Sequence, residues 1–324
     1  MQPMSLRRSF SLALLTALIL AQPLRADQPA SRPTIPESFL QFVDDGHGGG
    51  SLQSAELTMQ NAQGVTLHLV AAIHIGEKAY YDALNQDFRN DDAVLYEMVM
   101  PKDSQPPPPP GVFSSDDTTR PQSEVSKFQR FLKDTLQLDF QLDDIDYTQP
   151  NFIHADLDTD TFQQMQAARG ESFESLFMQQ ILASLNEQPK PGEDPDAQSL
   201  ADIVHVLTRP DMERQIKVVI ARQLGDMDSA AMGLDGPQGS VILTERNKAA
   251  LATLASTLQA GKKNIAIFYG AAHMPDMAKR LQALGFVAVS TQWHMAWNLK
   301  IRPDQPSAIE LMLSKMFGPA TRPD

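Results

Sequence analysis

The stretch "NIAIFYGAAHMPDMAKRLQALGF", residues 264–286, decides the fold. An apolar run of strand length leads through Gly270 to His273, then into an amphipathic segment that closes on glycine. A buried strand handing over to a helix within a few residues is half of an α/β unit. A second stretch, "VTLHLVAAIHIGEKAYYDAL" at residues 65–84, has the same layout, with His74 in the corresponding place. Ligands of open α/β sheets gather at the carboxyl ends of strands, so both imidazoles fall in that zone. A lone histidine there is more simply a helix cap or the filler of a polar gap. Two in matched settings argue for a shared purpose.

Working outward, "SLQSAELTM" (51–59) and "VTLHLVAAI" (65–73) read as strands joined by the turn "QNAQG". Residues 76–88 have helical spacing and "DAVLYEMVM" (92–100) is an apolar strand. Residues 65–100 therefore predict two parallel, neighbouring strands joined by a right-handed crossover. Downstream the pattern predicts a helix around Glu245–Gln259, a strand at Asn264–Tyr269, and a helix at Pro275–Leu284. Strands near Val287–Thr291 and His294–Ile301 and a last helix at Ser307–Phe317 follow.

Between these regions, five consecutive prolines (Pro106–Pro110) mark a surface excursion in polyproline II form. The segment that follows is mostly helical in pattern. The expected fold is α/β (α+β): a central mixed sheet built from two strand–(G/A)xxH–helix units, with a helical insertion or lid between them. The expected boundaries are a leader at 1–26, a flexible segment at 27–50, one domain at 51–304 with the insertion at about 122–235, and a C-terminal helix and tail at 305–324.

The formal net charge is −13 and no basic stripe is visible, which sets aside nucleic acid and anionic lipid as partners. Cysteine is absent, removing disulfides, thiol nucleophiles and thiolate metal sites together. A metal here must rest on imidazole and carboxylate, which suits zinc, manganese, iron or cobalt. At the N-terminus, Arg7 and Arg8 precede an apolar run from Phe10 to Ala21 and a polar segment ending at Ala26. That is the plan of a secretory signal cleaved after Ala26. We read a general secretory signal rather than a twin-arginine one, hence a periplasmic or secreted protein, with membrane contact only through this segment if uncleaved.

Glu97 sits inside an apolar strand, where an ionised carboxylate is expensive unless paired or bound to a cation. It is a candidate metal ligand beside His74 and His273, or a general base acting on water. The plainer reading is an ion pair, for which Arg246 in "ILTERNKAALATL" is the natural partner. Arg246 itself is a candidate for steadying negative charge. His154, Asp156, Tyr269 and Gly270 are candidate pocket residues, whereas Asp158 is a helix N-cap. His68 and His294 read as structural, His205 as a helix-face residue, His47 as part of a glycine loop and the fifteen methionines as core filler.

The blocks "AAIHIGEKAYYDAL", "DAVLYEMV", "TERNKAALATL" and "IFYGAAHMPDMAKRLQALGF" resemble, in order, the TraB/PrgY/GumN proteins and their relatives, the Tiki-type metalloproteases. They are similar in fold to ChaN-like haem-binding and erythromycin-esterase-like proteins. The resemblance covers 51–301 in outline and is specific in those four blocks. It implies an exported metal-dependent hydrolase acting on peptides or another small substrate, with His74, Glu97 and His273 at a divalent ion and Arg246 beside it. Its alternative is a non-catalytic protein of the same fold that sequesters a peptide, haem or metal. One departure stands out: Ala71 replaces the first glycine of the first Gly-x-x-His. It costs about 1 kcal/mol if the backbone needs a positive φ and nothing in a strand, which is the expected case.

Overall fold

A computed structural model describes residues 34–110, 136–171, 212–226 and 239–300. The leader, the helices read within 123–135 and 172–211, and the helix at 307–317 lie outside those residues. No helix among the described residues is long and apolar enough to cross a membrane.

Among the described residues the fold is mixed α/β, with a central mixed sheet of seven strands and six helices. Strands β1 (Leu40–Asp44), β2 (Gly50–Gln60) and β3 (Thr66–Ala72) lead through the two-residue β4 (Ile75–Gly76) to helix α1 (Lys78–Asp87). Then come β5 (Ala93–Tyr96), β6 (Asp139–Phe140), the single turn α2 (Gln141–Asp144), β7 (Phe152–His154) and α3 (Thr159–Arg169). Helices α4 (Met212–Asp226) and α5 (Arg246–Gln259), strand β8 (Asn264–Gly270), α6 (Met274–Ala283) and β9 (Val287–Asn298) complete the chain.

The parallel part of the sheet runs β3–β8–β5–β7. Antiparallel to it lies β2, whose one edge is shared by β1 and β3 and whose other edge is covered by β9. Strands β4 and β6 form a separate small ladder. The sequence expectation placed β3 and β5 side by side; instead β8 lies between them. The physical reason is burial. Every residue of β8 from Ile265 to Gly270 is buried, and a strand apolar on both faces belongs at the centre of a parallel sheet.

Three smaller corrections follow from the same sheet. Leu40–Asp44, inside the segment read as a flexible tether, is strand β1 with Leu40 in the core. The two strands expected after residue 286 are one, β9, whose register against β2 shifts twice. The region read as a helical insertion also supplies β7, the sheet's edge beside β5.

Side-chain alternation sorts the core into two layers. Leu67, Leu69 and Ala71 of β3 with Ile265, Ile267 and Tyr269 of β8 meet Leu254 of α5 and Met277 and Leu281 of α6. Val70 and Ala72 with Ala266 and Phe268 meet Tyr80, Tyr81 and Leu84 of α1 and Val218 of α4. Helix α4 presses closely on β1: a Cβ on Gly225 would stand 2.4 Å from the backbone nitrogen of Phe42, so only glycine fits. Helix α3 starts where Asp158 caps Thr161 N at 2.9 Å and stops at Gly170, whose φ of 64° reverses the chain.

Candidate functional site

Three strand ends deliver the candidate residues. His74 follows β3 by two residues, Glu97 follows β5 directly, and His273 ends a 3-10 turn, Ala271–His273, that leaves β8. Because β8 is the middle strand, with Ala72 paired to Gly270 and Tyr96 to Phe268, the three side chains converge over its end. Gly270 lies at the centre. A Cβ built there would sit 3.3 Å from Glu97 Oε2, 3.4 Å from His74 Nε2 and 3.7 Å from His273 Cδ2. Its φ is −51°, so glycine serves here by leaving space, not by backbone freedom.

The hydrogen bonds behind the imidazoles orient both rings and, for His273, place a proton on Nδ1. Asn247 Nδ2 donates to the His273 carbonyl at 3.3 Å and to Asp276 Oδ2 at 2.8 Å, so Asn247 Oδ1 is the atom 2.7 Å from His273 Nδ1. Nδ1 therefore carries a proton, which in the neutral ring leaves the lone pair on Nε2. On the other side, Gln141 Nε2 donates to the Tyr147 hydroxyl at 2.9 Å and Gln141 Oε1 faces His74 Nδ1, also at 2.9 Å. His74 presents its Nε2 side, 3.4 Å from the point that Gly270 leaves open.

Glu97 Oε1 accepts from Arg246 Nη2 at 2.7 Å and faces His273 Nε2 at 3.5 Å, while Oε2 accepts from the Gly270 amide at 2.6 Å. Burial pushes this carboxyl upward, but the charge His273 carries when protonated, the Arg246 guanidinium and the charge on a protonated His74 outweigh it and hold it well below the usual carboxylate range. Arg246 also grips Asp156, with Nε at 3.0 and 3.2 Å and Nη2 at 2.6 Å. Burial alone would lower the guanidinium's pKa; Glu97 and Asp156 raise it instead. The turn Val241–Glu245 that feeds α5 is a widened π turn, a feature common at functional sites, and it sets Arg246 and Asn247 at the helix start.

A cavity of about 470 Å³ opens beside these groups and is lined by His74, Glu97, Arg246, Gly270 and His273. Of the other sequence candidates, Asp156 is fully buried behind Arg246 and acts through it. His154 does not reach the cavity: its Nε2 is 2.6 Å from the Met98 carbonyl. Tyr269 is buried under the site, its hydroxyl donating to the Ala155 carbonyl at 2.5 Å and its ring edge on His273. Ala71 lies in β3, buried and paired to Tyr269, and the described non-glycine residues with positive φ are Asp103 and Gln137; the alanine costs nothing there.

Sequence reasoning missed Gln141 and Asn247. Asn247 had a signal, since it adjoins Arg246 at the start of α5 and precedes His273 by 26 residues. Gln141 had none, because only the β4–β6 pairing brings it to His74.

Metal ligation at about 2.1 Å requires donors no more than about 4.2 Å apart. Among the described residues the set within 4.8 Å is a different one, Glu56, Asp87 and His294. There Glu56 already holds His68 Nδ1 at 2.8 Å with one oxygen and His294 Nε2 at 2.9 Å with the other, a satisfied structural network. At the first site the donor types suit a cation, and the exposed His74 stands farther out than a closed coordination shell requires. No family model matches the chain, and neither a curated protein nor a solved structure does.

Proposed function

We propose that the chain is an exported metal-dependent hydrolase acting on peptide bonds, with His74, Glu97 and His273 holding a divalent manganese, cobalt, zinc or iron ion. The observation that carries this reading is the pair of pinned imidazoles. Each has its Nδ1 against a carboxamide oxygen and its Nε2 side toward the gap that Gly270 leaves beside Glu97. A hydrogen-bonded Nδ1 behind a bare Nε2 is how proteins prepare histidine for a metal. In this reading β3–His74–α1 and β8–His273–α6 are two versions of one strand–histidine–helix unit, as the resemblance to TraB/PrgY/GumN and Tiki-type proteins implies. Export rests on the leader at 1–26.

A bound ion supplies Lewis acidity and brings the pKa of a water toward about 7. The protein's own groups do the rest. Glu97 has both oxygens occupied by strong donors, which suits a fixed ligand better than a base that must collect a proton. Arg246 lines the cavity, and its Nη1 makes no hydrogen bond among the described residues, so it is the donor available to negative charge growing on a substrate carbonyl. Asp156 holds that guanidinium in place.

The test is turnover of a quenched peptide library by the purified chain with each of the four metals. We expect activity with at least one, falling to background in His273→Ala. Equal turnover by wild type and variant would contradict the proposal. A second reading, sequestration of a peptide without hydrolysis, draws on the full commitment of Glu97; stoichiometric binding with no turnover under any metal would select it.

A further inference from the structure

The cavity has two unlike ends. Its charged and imidazole groups, His74, Glu97, Arg246 and His273, sit together over the end of β8, and the remaining lining is aliphatic apart from one indole. Ile220 and Leu224, one turn apart on α4, face Leu40 of β1, Ile73 and Trp297 of β9. Among the described lining residues no lysine, no second arginine and no acid other than Glu97 appears. A volume of about 470 Å³ falls in the range, about 300–1,000 Å³, that encloses a ligand of drug size. The reacting bond alone does not fill it. Apolar wall of this extent gains only when apolar surface covers it.

We infer that the site selects peptides with a bulky apolar side chain beside the scissile carbonyl, seated against Ile220, Leu224 and Trp297. The carbonyl then lies at the polar end, within reach of Arg246 and the two imidazoles, because cavity wall and polar groups are continuous. The inference rests on the hydrolase reading for its reaction but not for its binding.

The chain carries its own probe. It has two tryptophans; Trp297 lines the cavity, whereas Trp293 packs in the layer with α5 and α6. The full chain, stripped of metal by a chelator, is titrated with acetyl-Leu-Leu-amide and with acetyl-Ser-Ser-amide while tryptophan emission is followed. The leucine peptide should shift the emission saturably, the serine peptide should not, and Trp297→Phe should abolish the response. No response, or an equal response to both peptides, overturns the inference. With metal present, quenched substrates carrying Leu or Phe should exceed the Ser substrate in kcat/KM by about tenfold or more. That ratio should collapse in Leu224→Asp and fall in the milder Ile220→Ser, which guards against a variant that fails to fold. Turnover without an apolar preference sinks this inference and leaves the hydrolase; a leucine-selective emission change without turnover does the reverse.

Discussion

At Gly270 the candidate site depends on an atom the residue lacks. A methyl group there would meet Glu97 Oε2 at 3.3 Å and His74 Nε2 at 3.4 Å, closing the gap between two donors. The backbone at φ −51° accepts alanine without strain. Gly270→Ala should therefore leave the thermal midpoint within a few degrees of wild type and weaken divalent-metal binding about tenfold or more, read by calorimetric titration. A large loss of stability with unchanged metal affinity would show that the glycine serves the backbone. Asp156 makes the opposite case, since its fully buried carboxylate is held by Arg246 and by the Leu157 amide at 2.7 Å. Asp156→Ala strips a buried guanidinium of one of its two anions and should cost about 3 kcal/mol in denaturant unfolding. A cost near zero would mean that water reaches Arg246 freely.

Among the elements, β2, β3 and β9 are tied together at the end of the sheet remote from the candidate site. Asn264 Nδ2 donates to the Asn90 carbonyl and to Asp91 at 3.0 Å each, so its oxygen faces His68 Nε2 at 3.1 Å. His68 Nδ1 faces Glu56 at 2.8 Å, so both ring nitrogens meet acceptors and the ring is held as the cation. The Glu56 bond raises the His68 pKa above its ordinary 6.5 against the opposing effect of burial. Burial pushes Glu56 up, but His294 and His68 bring it from 4.5 down to about 2. The carboxylate's contribution to stability is present above pH 4.5 and fades as pH falls toward 2. The imidazole's is complete below 6.5 and is lost as pH rises through its raised folded-state value. Both act between pH 4.5 and 6.5, so the stability gap between wild type and Glu56→Gln, measured with chelator present, should be widest there. A gap that stays constant from pH 4 to pH 8 would contradict this.

The same elements show what the sequence made legible. Strand β8, the turn at His273 and helix α6 were readable because an apolar run, a glycine and a 3.6-residue period each announce one local structure. The position of β8 between β3 and β5 was not, since strand order depends on which faces are buried in the folded whole. His74 and His273 stood out by their matched places after apolar strands, Glu97 as a carboxylate inside an apolar run, and Arg246 as its natural partner. Gln141 fits its own pattern and becomes a partner of His74 only through long-range pairing, which no local signal carries.

For the molecule as a whole, the acidic balance of −13 and the absence of cysteine leave imidazole and carboxylate as the metal-binding currency. Among the described residues one set has the spacing of a cation site, around Glu56, while the proposal places the ion at Gly270, and the two differ in imidazole count. The set at Gly270 offers two histidines and a glutamate; the set closed around Glu56 offers His294 with two carboxylates. X-ray absorption at the zinc edge of the full chain loaded with one equivalent of zinc distinguishes them. Ligation at Gly270 gives two imidazoles with oxygen donors filling the remaining positions, falling to one imidazole in His74→Ala and in His273→Ala alike. Failure to bind zinc stoichiometrically, or a spectrum unchanged by both substitutions, would contradict it.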